Sequence, residues 1–63
     1  MTLREIAEGN VVEAVAVWGK TPRGFESGWD NTMDTAFERG WSHEDAVGAA
    51  LLFERAWNDE VKS

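Results

Sequence analysis

Six carboxylates, Glu26, Asp30, Asp34, Glu38, Glu44 and Asp45, fall between residues 26 and 45, with Arg39 the single base among them. Acids gathered in this way can do three kinds of chemistry. A pair in a cleft can divide into a general acid and a general base. Several together, with or without a histidine, can hold a divalent metal. A row on one face can attract a cationic surface.

The first two chemistries lack supporting residues. Acid–base work needs a concave site, and a chain of 63 residues offers little concavity. His43 is the only histidine, and on a helix its neighbours Glu44 and Asp45 would point away from it. Asp30, Asn31 and Asp34 lack the spacing and central glycine of an EF-hand loop. The chain has no cysteine, which excludes disulfides and thiolate sites and suits a cytoplasmic setting. Gly19-Lys20-Thr21 has the ending of a P-loop, but the motif's first glycine would fall on Ala14, and Pro22 follows at once. The expectation is a protein that is not an enzyme and carries no cofactor and no metal.

The third chemistry agrees with the charge count. Six acids against one base give residues 26 to 45 a charge of −5; the remaining six acids and five bases give −1, for a net charge of −6. Such a chain repels phosphates, so neither direct nucleic-acid binding nor an anionic membrane surface is expected. No stretch approaches the roughly 18 apolar residues of a membrane span. MTLREIAEG carries acids and no apolar core, unlike a secretion signal.

These acids must be positioned by a single small domain over residues 1–63. Thr2 and Glu5 read as a capping box, and Leu3, Ala7, Val11, Ala14 and Trp18 recur at helical spacing up to Gly19, predicting a helix over about 3–18. Gly9, Asn10 and the valine-rich run that follows leave a strand over residues 10–18 as the alternative. GKTPRGFESG, residues 19–28, reads as a connection. Thr21-Pro22 would also suit an earlier helix start, which Gly24 and Gly28 oppose.

A second helix is expected over about 29–39, with Trp29, Met33, Ala36 and Phe37 along its apolar side and Gly40 as its stop. Ser42, with Asp45 three residues on, caps a third helix over about 43–61, with Ala46, Ala50, Phe53, Trp57 and Val61 facing the core. Leu51 and Leu52 fall on its two flanks. Short links then give an all-α three-helix bundle with antiparallel neighbours. Trp18, Trp29 and Trp57 fall at one end and Trp41 at the other. The first three are expected to clamp a core that is thin, because a domain this short buries only about 60% of its unfolded surface.

Within this frame Asp30, Asp34 and Glu38, four apart, form one ridge. Glu44 and Asp45 sit in a first helical turn, where the macrodipole rewards acids. Nothing local rewards the ridge. Like charges at this spacing cost about 0.2–0.5 kcal/mol per pair, and Glu38 lies at the unfavourable end of its helix. A solvated face is the simplest account of such charge. A basic partner surface would reward it, since steps of about 6 Å along the axis loosely imitate a row of phosphates.

Two resemblances bear on the acidic segment. A-F-E-R-G-W-S-H-E-D-A-V, residues 36–47, resembles the helix-turn-helix of DNA-binding repressors. It implies that turn, but a recognition helix opening on His43, Glu44 and Asp45 does not suit base edges. G-W-S-H-E-D-A, residues 40–46, resembles the first loop of ubiquitin-associated domains. Those have a second loop about ten residues later, where this chain runs through Ala50 to Phe53 without a break. In type, the small acidic chain without chemistry resembles the inhibitors that phages and mobile elements direct at host nucleic-acid machinery, including anti-CRISPR and anti-restriction proteins. The resulting expectation is a DNA-mimicking binder of a basic protein surface, with Glu26, Asp30, Asp34, Glu38, Glu44 and Asp45 as its contact residues. The alternative is a small dimerising adaptor. Val12 and Ala16 lie off the main stripe of the first helix, and with Leu51 or Leu52 they offer an apolar face for a homodimer.

Overall fold

The computed structural model describes residues 2–63. It is an all-α bundle of three helices, α1 (Leu3–Trp18), α2 (Pro22–Glu38) and α3 (His43–Lys62), each in contact with the other two. Its long dimension of 31 Å is the length of α3, since twenty helical residues rise about 30 Å.

Each helix is bounded by its sequence signals. Thr2 Oγ1 accepts from the Glu5 N–H at 3.2 Å, and the Thr2 N–H donates to Glu5 Oε1 at 3.2 Å, completing the capping box of α1. The valine-rich stretch stays helical up to Gly19, which removes the strand alternative. Between α2 and α3, Gly40 takes a positive φ of 79°. Its N–H donates to Phe37 O at 3.0 Å and the Trp41 N–H to Ala36 O at 3.1 Å, the two bonds of a Schellman motif. Ser42 Oγ accepts from the Asp45 N–H at 3.2 Å. Asp45, a methylene shorter than the usual glutamate, makes no return bond among the described residues, so the box is half formed.

The largest departure from the sequence reading is the start of α2. It begins at Pro22, not near Trp29: Thr21 is the N-cap, accepting from the Gly24 N–H at 3.3 Å, and Pro22 occupies the first turn. The two glycines that argued against this start are what the packing requires. Gly24, Gly28, Thr32 and Ala36 form the buried stripe of α2. A Cβ on Gly28 would come within 2.2 Å of Phe53 Cζ, and one on Gly24 within 2.8 Å of both Trp57 Cη2 and Gly19 O. The helix gives up propensity at these positions to let two aromatic rings of α3 lie against its backbone.

The centre of the core is a cluster of Ala7, Val11, Ala14, Phe53 and Trp57, with Val15, Phe25, Trp29 and Ala56 packed on it, and Ile6, Ala36, Ala46, Ala49 and Ala50 are buried as well. The aromatic cluster differs from the expected tryptophan clamp. Phe25, in the segment expected to be a connection, is its hub: its ring centroid lies 5.7 Å from Phe53, 5.9 Å from Trp29 and 6.1 Å from Trp57. Trp18 stands outside, 38% exposed, with the Arg23 guanidinium 4.4 Å from its ring centroid. Val61, expected on the core face, is 44% exposed at the end of α3. Of the expected apolar side of α2 only Ala36 is buried; Trp29 and Met33 are half-buried and Phe37 is exposed. Asn10, a suspected breaker of α1, instead donates to Thr32 Oγ1 at 2.8 Å, and Thr32 donates to Gly28 O at 2.8 Å. This fully buried hydroxyl is thereby satisfied and ties α1 to α2.

Candidate functional site

The early start of α2 changes the acidic ridge. Glu26 becomes helical and stands four residues before Asp30, so the ridge is a column of four: Glu26, Asp30, Asp34 and Glu38. Each is offset by two residues from the buried stripe of Gly24, Gly28, Thr32 and Ala36, which on a helix is a turn of about 200°. The carboxylates therefore occupy the side of α2 that faces away from the core, and all four are exposed. Successive members rise about 6 Å and rotate about 40°, so the column winds slowly round the helix.

A third set of positions, Phe25, Trp29, Met33 and Phe37, lies beside the acids on one flank. These side chains range from half-buried to exposed, so an apolar margin runs the length of the acidic column. Its last ring, Phe37, stacks on His43 with centroids 6.2 Å apart and planes 18° apart, joining the end of α2 to the start of α3.

Glu44 and Asp45 are also exposed, but they stand on the first turn of α3, outside the column. The helix N-terminus accounts for them. The sequence grouping of six thus divides into four acids with no local reward and two with one.

Among the described residues no base forms an ion pair with the column. The only ion pair among the described residues is Arg4–Glu8, at 3.0 Å along α1. Arg23, one turn from Glu26, is engaged with the Trp18 ring instead. Among the described residues no three His, Cys, Asp or Glu side chains come together in a group that could hold a metal ion, and no helix is long and apolar enough to cross a membrane.

The concave features are shallow. One hollow of about 420 Å³ is bounded by Pro22, Phe25, Glu26, Trp29 and Glu54, where the aromatic margin meets α3. Sequence reasoning missed both Phe25 and Glu54 as site residues. The available signal was Thr21-Pro22: accepting it as a helix start puts Phe25, Glu26 and Trp29 on adjoining faces of one helix.

Comparison of the chain with protein-family models, with curated proteins and with solved structures finds no match.

Proposed function

We propose that this protein is a non-catalytic interaction protein whose acidic column occupies a basic site on a partner protein, of the kind that otherwise receives nucleic acid. The observation that carries this reading is the set of four exposed carboxylates, in no ion pair among the described residues, in one column on the outward side of α2. Among the described residues they pair with no base, and their mutual repulsion opposes the helix that displays them. A cationic surface would turn that cost into attraction and would be found faster through long-range steering. Glu44 and Asp45 extend the negative field at the adjoining corner. An inhibitor of host nucleic-acid machinery, such as an anti-CRISPR of phage origin acting in the cytoplasm, is the type of protein this surface fits.

The test is the triple substitution Asp30→Gln, Asp34→Gln and Glu38→Gln, with binding to a basic partner followed across a salt series. Wild-type binding should weaken as salt rises, and the variant should bind less tightly with a flatter dependence. Equal affinity at every salt concentration would reduce the column to a solvated face.

A second reading rests on a separate observation. Val12 is 71% and Leu51 55% exposed, and Ala16 and Leu52 are exposed as well. A second copy of the chain covering these side chains would make a homodimeric adaptor at micromolar concentration, with no dependence on the acids. Sedimentation equilibrium should then show twice the 7.0 kDa chain mass, insensitive to salt; a single species of chain mass at high concentration removes this reading.

A further inference from the structure

We propose that the hollow bounded by Pro22, Phe25, Glu26, Trp29 and Glu54 receives an arginine side chain of the basic partner. The inference rests on the acidic column being the docking face and adds to it a choice between the two basic residue types.

The column alone cannot make that choice, because lysine and arginine bring the same charge. The hollow can. Phe25 and Trp29 pack against the core cluster, and their centroids are held 5.9 Å apart with planes at 39°. Both remain half-buried, so part of each ring stays open to solvent. Carboxylates stand on the rim from two helices, Glu26 from α2 and Glu54 from α3, and neither is in an ion pair among the described residues.

A guanidinium suits this combination. It is planar, weakly hydrated, stacks on aromatic faces and presents a fork of donors to carboxylates. A lysine ammonium is a compact, strongly hydrated charge that gains less from a ring and cannot form the bidentate contact. The hollow is shallow and open, so a guanidinium can lie flat on the ring faces while its aliphatic stem runs out over the rim. The molecule already makes one such contact within itself, with Arg23 lying over Trp18 at the same end of α2.

The experiment titrates the full chain with fluorescently labelled oligo-arginine and oligo-lysine peptides of equal length at fixed salt. The arginine peptide should bind about tenfold more tightly, the scale of a partly desolvated cation–π contact. Trp29→Leu and Glu54→Gln should each bring the ratio close to one, mostly by weakening the arginine peptide. Glu54→Gln is the safer variant, since its side chain lies at the rim, and an unchanged melting curve would certify its fold. A wild-type ratio near one overturns the proposal, as does a ratio unmoved by both variants or a failure of the arginine peptide to bind.

The triple column variant separates this proposal from the reading beneath it. With Glu26 and Glu54 retained, it should weaken both peptides and preserve their ratio. If it weakens neither while the ratio persists, the column falls and the hollow stands; if it weakens both but the wild-type ratio is one, the hollow falls and the column stands.

Discussion

Helix α2 carries two sets of four residues with the same period and opposite fates. Gly24, Gly28, Thr32 and Ala36 face inward; Glu26, Asp30, Asp34 and Glu38 face outward. The inward set is small because the space is already taken. The Phe53 ring leaves no room for a Cβ at position 28, and the Trp57 ring leaves none at position 24. Gly24 and Gly28 have a steric reason, Thr32 has a hydrogen-bonding one, and Ala36 is fully buried. The outward set meets no such demand, and its charges oppose the helix that holds them. The difference teaches where to look for function: a pattern that packing explains belongs to the fold, and an equally regular pattern that packing does not explain asks for a partner.

The comparison is broken most severely from the inward side. Trp57 is the ring that Gly24 makes room for, and it is only 6% exposed. Trp57→Ala should cost about 3–5 kcal/mol, the range for a buried aromatic, in a domain whose core supplies little more than that. Circular dichroism at room temperature should show a largely unfolded chain. A variant melting near wild type would mean that Gly24 is small for no packing reason.

The glycines supply a sharper contrast of opposite sign. Gly28→Ala should destabilise the fold by about 1–3 kcal/mol, the usual cost of overpacking, despite the roughly 1 kcal/mol that alanine gains in helix propensity. Gly9 in α1 is helical too, but nothing lies within 4 Å of where its Cβ would stand. Gly9→Ala should therefore stabilise by about 0.5–1 kcal/mol. Urea denaturation of both variants decides the matter. Two shifts of the same sign would show that propensity, not the fit against Phe53, governs glycine in this bundle.

These glycines also mark what could be read from the sequence. The bundle, α1, α3 and the turn between α2 and α3 were legible, because Thr2, Gly19, Gly40 and Ser42 are local signals whose meaning needs no tertiary context. The start of α2 was not. Helix propensity weighs Gly24 and Gly28 as breakers, and only the placement of Phe53 and Trp57, about thirty residues away, turns them into contacts. That one misreading moved Phe25 from the hub of the aromatic cluster into a loop and left Glu26 off the acidic column. The buried role expected of Trp18 had a separate source, the apolar periodicity of α1, whose last member lies 38% exposed. The acids themselves were visible throughout, since an excess of charge with no local reward needs no coordinates to be noticed. Their division into a column of four on α2 and a pair on the first turn of α3 required the helix boundary.

The smallest expected effect per interaction comes from the outward side. Asp30, Asp34 and Glu38 make two like-charge pairs at a spacing of four, and Glu26 adds a third. Replacing the first three with glutamine relieves all three pairs, raises helix propensity at positions 30 and 34, and breaks no ion pair among the described residues. The gain should be about 0.2–0.5 kcal/mol per pair at low ionic strength, and it should shrink as salt screens the repulsion in the wild type. Thermal melts of the two chains should therefore differ most in dilute buffer and draw closer at high salt, where only the salt-independent propensity gain at positions 30 and 34 is left. The sign matters more than the size. A surface whose removal strengthens the fold while weakening attachment to a basic partner is maintained for that attachment. If the triple variant instead melts lower than wild type at low salt, the carboxylates support the bundle through contacts that the native fold does not display, and the separation between an inward face that builds and an outward face that binds is lost.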